Sequence, residues 1–195
     1  DVVRRVTCKN IERVPAQKNG ASQQPLQVAL LDFGAKRNIA RELAKRGCDV
    51  SIYPAYTSAK DILAAKPDGI MLSNGPGDPK DCGSIIGEVK KLFDSGVPMF
   101  GICLGHQLLA LANGADTRMM KWGHRGANHP VKDMDTGRVY ISTQNHGYVV
   151  ADRTVPEHVA EVSFKNANDA GTEGLHYLGK NVFTVQFHPE ACGGP

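Results

Sequence analysis

The 195-residue sequence is poor in the features that mark many specialised chains. It has one tryptophan and 6% aromatic residues, and its 23 basic against 20 acidic side chains leave a net charge of only +3, spread along the chain. There is no basic patch with interleaved aromatics of the kind a nucleic-acid groove needs, so no nucleic-acid partner is expected. The five cysteines, Cys8, Cys48, Cys82, Cys103 and Cys192, are odd in number and lack CxxC spacing, which fits neither a disulfide framework nor a zinc ribbon. A reducing compartment, and with it a cytoplasmic location, is the expectation. No apolar run approaches the roughly 20 residues that span a bilayer, and no basic start followed by an apolar stretch marks export, so no membrane partner is expected. What remains, 41% hydrophobic and 22% charged residues with 21 Gly and 11 Pro, is the composition of a globular protein suited to small-molecule chemistry.

Residues 1–27 are polar and carry Pro15, Gly20 and Pro25, and QKNGASQQP reads as an exposed linker. The lack of an opening Met, and the stop at CGGP without a closing helix, lead us to expect a fragment. From Gln27 onward a regular alternation sets in. QVALLDF, CDVSIYP, DGIMLS and VPMFGI are short apolar runs suited to buried strands. Between and after them KRNIARELAKRG, TSAKDILAAK, SIIGEVKKLFDSG and CLGHQLLALANG carry helical spacing, and Ser58 with Asp61 three residues later forms a capping pattern. Strands alternating with single helices imply parallel pairing, with sites beyond the strand carboxyl ends. After Gly114 the texture changes to VYIST, EVSF, GLHYL and NVFTVQF, shorter strands of partly antiparallel character. The expected fold is one α/β domain over residues 28–195, a mostly parallel sheet flanked by helices with additional short antiparallel strands in its C-terminal half.

Gly101-Ile102-Cys103-Leu104-Gly105-His106-Gln107 lies where a strand turns into a helix. G-x-C-x-G in that context is a nucleophile elbow with Cys for Ser, whose flanking glycines let the backbones approach. At a helix amino end the dipole should favour the Cys103 thiolate. A thiolate attacking an amide needs a base, and the base an orienting group. The sequence supplies His188-Pro189-Glu190 at the end of NVFTVQF. An oxyanion needs N–H donors, for which Leu104 and the loop Asn74-Gly75-Pro76-Gly77-Asp78-Pro79 after the third strand are candidates. Gln107, one helical turn from Cys103, faces the same side. Gly174 to Lys180 fits G-x-x-x-x-G-K, but Asn181 replaces the hydroxyl residue and the context is strand-like, so a phosphate loop is not expected. His124 and His129 in GHRGANHP lack partners at ligand spacing and read as loop histidines, with no metal expected.

GICLGHQ, NGPGDP and HPE, in this order and on these elements, resemble the class I (triad) glutamine amidotransferases. Within that family DFGAKRNI, GHRGANHPVKD and QNHGY look like the glutaminase domain of the carbamoyl phosphate synthetase small subunit, and DVVRRVTCKN like the end of that subunit's separate amino-terminal domain. The resemblance implies that Cys103 attacks the side-chain amide of L-glutamine, that His188 protonates the leaving ammonia and then activates water, and that Glu190 orients His188. It further implies substrate contacts from Gly75, Gly77, Leu104, Gln107, Asn145, Gly147 and Tyr148, no cofactor in this chain, and a large synthetase subunit as the partner that receives ammonia. No ATP-binding motif is found, which agrees with a split enzyme. Three rival readings stay open on sequence alone. One is the glutaminase of anthranilate or GMP synthesis, against which GHRGANHPVKD argues. Another is a non-catalytic interaction module of the same fold. The third is a Cys hydrolase of esters or peptides, which would not need Gln107 or NHGY.

Overall fold

The computed structural model describes residues 2–17 and 24–191. They form one ten-stranded mixed sheet. The strands are β1 (Glu12–Val14), β2 (Leu26–Asp32), β3 (Cys48–Pro54), β4 (Gly69–Leu72), β5 (Met99–Ile102), β6 (Thr117–Asp133), β7 (Val139–Val150), β8 (Ala160–Asn166), β9 (Thr172–Tyr177) and β10 (Val182–Val185), ordered β1-β3-β2-β4-β5-β10-β9-β8-β6-β7. Strands β3, β2, β4, β5 and β10 run parallel, and the remaining pairings are antiparallel. The mixed architecture read from the sequence is therefore the one observed.

Alternation along the central strands feeds two cores. Ala29 and Leu31 of β2 pack on one face with α3 (Ala59–Ala64), α4 (Gly83–Asp94) and α5 (Leu104–Ala112), through Ile62, Val89 and Leu108. Val28 and Leu30 pack on the opposite face with Ile39 and Ala40 of α2 (Arg37–Lys45). Burial on both faces explains why these strands read as unbroken apolar runs. The capping pattern forms: Ser58 Oγ accepts from the Asp61 N–H at 3.1 Å and donates to its carboxylate at 2.7 Å.

Two regions differ from the sequence expectation. The described part of residues 1–27 adds structure to this domain: α1 (Val3–Val6) inserts Val3 into the core at 1% exposure, the Cys8 N–H donates to Asp32, and β1 pairs antiparallel with β3. Most of the QKNGASQQP segment lies outside the described residues. The second difference is β6. TRMMKWGHRGANHPVKD was expected to hold loop histidines, but it forms a 17-residue strand paired with β7, with register shifts between Met119 and His124 and between Gly126 and His129. These irregularities, with Gly123, Gly126 and Pro130 inside the run, erase the alternation that would announce a strand. Lys180 of the dismissed phosphate-loop match donates to the Phe93 carbonyl at 3.1 Å and lies over its ring.

Candidate active site

Four parallel strands deliver the site at their carboxyl ends: β2 leads to Lys36, β4 to the Asn74–Pro79 loop, β5 to Cys103 and β10 to His188. Cys103 sits at the junction of β5 and α5 with φ +53° and ψ −103°, a conformation that non-glycine residues avoid. Tight bonding holds it there. Its N–H donates to Val185 at 2.9 Å, its carbonyl accepts from Gln107 at 3.1 Å, and Gly105 N–H donates to Ser73 at 3.0 Å. A Cβ on Gly105 would lie 2.7 Å from Leu72 Cβ, and one on Gly101 would lie 2.9 Å from Thr184 Cγ2, so both flanking glycines are required sterically.

His188 follows β10 and is fixed by its N–H to the Thr143 carbonyl at 2.9 Å. Its Nδ1 donates to Glu190 Oε1 at 2.8 Å, which leaves Nε2 as the basic nitrogen. That Nε2 is buried and has no hydrogen-bond partner among the described residues. Cys103 and His188 line one cavity of about 450 Å³, together with Gly75, Gly77, Gln107, Asn145, Gly147 and Tyr148. Eight of the ten site residues expected from sequence thus meet at one cavity. The other two flank it: Leu104 follows Cys103 as the first residue of α5, and Glu190 stands behind His188. Gly75 is pressed so closely on Phe33 and Leu104 that a Cβ would lie 2.7 Å from Leu104 Cδ2. Asn74 anchors the loop, accepting from the Lys36 N–H at 3.1 Å.

Residues 29–195 match the family of class-I glutamine amidotransferases. The chain belongs to that family. A carbamoyl phosphate synthase small chain of Photorhabdus laumondii is 53% identical over 171 residues, which cover 88% of this chain and 44% of that one. One of Bacillus caldolyticus is 49% identical over 195 residues, covering all of this chain and 51% of the relative. The chain spans about half the length of the curated relatives it matches. A Thermoplasma acidophilum protein of solved structure shares the fold with a TM-score of 0.78 at 23% identity over 88% of both chains. A glutamine amidotransferase of Thermotoga maritima shares it with a TM-score of 0.68 at 15% identity, over 86% of this chain and 77% of that one.

The candidate site has electrostatics that the sequence did not foretell. Burial pushes the Cys103 thiol up to about 12, and the opposing influences of the Leu104 N–H, Lys36 and the Gln186 amide do not overcome it. Desolvation thus outweighs the helix end at this sulfur, and the thiol is favoured over the thiolate. Burial would also raise the Glu190 carboxyl, but the hydrogen bond and charge of His188, with Lys36 beyond, hold it below its ordinary value. His106, beside the elbow, points away into the core, where Nδ1 meets Thr184 Oγ1 at 2.7 Å and burial pushes the imidazole down to about 3.

Three side chains escaped the sequence reading. Lys36 Nζ lies 3.4 Å from both Glu190 Oε1 and His188 Nδ1, reaching over from the turn after β2. Gln186, two residues before His188, is fully buried and accepts from Gln107 Nε2 at 2.8 Å. Gln107 Nε2 also donates to the Tyr148 carbonyl at 2.8 Å, so its Oε1 is the atom able to accept from a ligand. Arg125 of β6 lines the cavity as well. The alternation of NVFTVQF was a usable signal for Gln186, since its spacing from Thr184 and His188 is that of one strand face.

Proposed function

We propose that this chain hydrolyses the side-chain amide of L-glutamine through Cys103, His188 and Glu190, and that the ammonia serves carbamoyl phosphate synthesis on a large synthetase subunit. The observation that carries the reading is the shared cavity: a strained, buried cysteine and an imidazole whose Nε2 has no partner among the described residues open onto one space of about 450 Å³. Because the thiol rests protonated, attack and proton transfer belong together. His188 Nε2 takes the proton as Sγ bonds to the carboxamide carbon, and the oxyanion is met by the Leu104 N–H and the backbone at Gly75. The imidazolium, stabilised by Glu190, returns the proton to the departing nitrogen, releasing ammonia and leaving a thioester on Cys103. Water then attacks the thioester while His188 accepts its proton, and glutamate departs as the thiol is restored.

Gly77, Asn145, Gly147 and Tyr148 would shape the substrate's amino-acid end, with Gln107 Oε1 accepting from it. Identity of about 50% to carbamoyl phosphate synthase small chains supports the synthetase partner over the anthranilate and GMP alternatives. A cytoplasmic location and chemistry without a cofactor in this chain belong to the same proposal. Among the described residues no helix is long and apolar enough to cross a membrane. The test is a coupled assay of glutamate and ammonia from glutamine. Equal release of the two, abolished by Cys103→Ala, is expected; glutamate release that survives Cys103→Ala would refute the reading.

A further inference from the structure

Three strands bring together donors to which the proposed hydrolysis assigns no role, one of which, His146, also lines the cavity of Cys103 and His188. His124 on β6, His146 on β7 and Glu173 on β9 each offer one ligand atom, and these atoms lie within 4.8 Å of one another. All three are largely enclosed: Glu173 is 1% and His146 6% exposed, and the His124 side chain is 12% exposed. The second ring nitrogen of each imidazole is already held. His146 Nδ1 donates to the Tyr148 carbonyl at 2.7 Å, and His124 Nε2 donates to Asp169 Oδ2 at 2.9 Å. With those protons placed, the neutral tautomers carry lone pairs on His146 Nε2 and His124 Nδ1. Both nitrogens face Gln144 Oε1, at 2.7 and 3.1 Å, and His124 Nδ1 lies 3.4 Å from Glu173 Oε1. In the neutral tautomers lone pairs thus converge from four side chains, an arrangement that only a proton or a cation between them holds at these distances. Glu173 Oε2 is buried without a hydrogen-bond partner among the described residues, and only the Asn166 amide at 3.0 Å offers hydrogen to Oε1 from outside the cluster.

We propose that His124, His146 and Glu173 form a binding site for a divalent cation of the zinc class, with Gln144 Oε1 as a neighbouring oxygen donor. Two imidazoles and a carboxylate are a donor set that suits zinc and disfavours magnesium or calcium, which take oxygen ligands. The Asp169 carboxylate behind His124 and the carbonyl behind His146 are the outer partners that fix ligating imidazoles. With metal–ligand bonds of about 2.0–2.1 Å, tetrahedral donors sit roughly 3.4 Å apart. His124 and Glu173 already have that spacing, and a shift of about 1 Å completes the set. Tyr148's carbonyl accepts from both His146 and Gln107, so the cation would tie β6, β7 and β9 together behind the wall of the cavity. Because His146 also lines the catalytic cavity, the test reads metal binding rather than turnover.

The experiment titrates zinc into metal-stripped protein against a chromophoric chelator, in a Cys103→Ala background that removes the thiol of the neighbouring cavity. One equivalent is expected to bind, with affinity lowered at least about a hundredfold by His124→Asn or Glu173→Gln and about ten- to a hundredfold by Asp169→Asn, whose exposed side chain can change without unfolding the chain. Zinc should also raise the unfolding temperature of the parent more than that of these variants. Failure to bind zinc, or binding of equal strength in the parent, His124→Asn and Glu173→Gln, would overturn the proposal.

Discussion

Replacing Gly105 by alanine tests whether the first turn of α5 is pressed against β4 as closely as the nucleophile turn requires. The added methyl would lie 2.7 Å from Leu72 Cβ and still closer to the Leu72 carbonyl, in a strand whose Leu72 is fully buried. A flexible side chain could step aside; strand backbone cannot. Overpacking a core by one methyl costs about 1–3 kcal/mol, and rigid backbone on the far side places this case near the upper end. Alanine's better helix preference offsets about 1 kcal/mol, leaving a net loss of about 2 kcal/mol. For a chain of this size that lowers the unfolding temperature by about 4–8 °C. Relief by withdrawal of α5 would carry Cys103 with it, and a displacement of about 1 Å costs on the order of a hundredfold in turnover. Gly87 on α4 is the control: it is exposed, a Cβ there meets nothing within 4 Å, and Gly87→Ala should stabilise by about 0.5–1 kcal/mol with turnover unchanged. Thermal melts and steady-state glutaminase assays on the two variants decide the matter. A Gly105→Ala protein that melts with the wild type and keeps its turnover would refute the close approach of α5 and β4.

The triad members should separate by role: Cys103→Ala and His188→Ala abolish glutamine hydrolysis, whereas Glu190→Ala leaves a measurable remainder because it only orients and stabilises the imidazole. Since burial raises the thiols of Cys8 to about 11 and Cys103 to about 12, and lifts Cys48 and Cys82 as well, iodoacetamide should label these four slowly at pH 7. Labelling of Cys103 should quicken about tenfold per pH unit toward pH 10, read by peptide mass spectrometry. The Glu190 carboxyl is held below its ordinary value of 4.5, so its ionised form adds stability that is present above that pH and is lost as pH falls through the lowered value. Glu190→Gln should accordingly flatten the acid limb of a stability-against-pH curve below about pH 4.5, and an unchanged acid limb would show that the carboxyl is not so held. Lys36→Met should weaken the same limb in the same direction, since its ammonium lies 3.4 Å from that carboxylate.

The central sheet was legible because strands buried on both faces read as apolar runs and the helices between them carry their own periodicity and caps. The nucleophile turn was legible for a steric reason, since only glycine fits at 101 and 105, and that requirement leaves a mark in the sequence. β6 was hidden because bulges and interior Gly and Pro break the period that identifies a strand. The raised Cys103 thiol was not legible because a helix end is visible in sequence, whereas the desolvation that opposes it depends on what closes over the sulfur. The grouping of His124 with His146 and Glu173 was invisible for a topological reason. Its members come from three strands, and no local spacing records which strands will be neighbours.

The most direct measurement of the central claim is to treat the folded chain with a chloroketone analogue of glutamine and map the adduct by peptide mass spectrometry. The site predicts rapid modification at Cys103, protection by glutamine, and no adduct at that rate in Cys103→Ala. An adduct on another cysteine, or modification of Cys103 that glutamine does not slow, would contradict it.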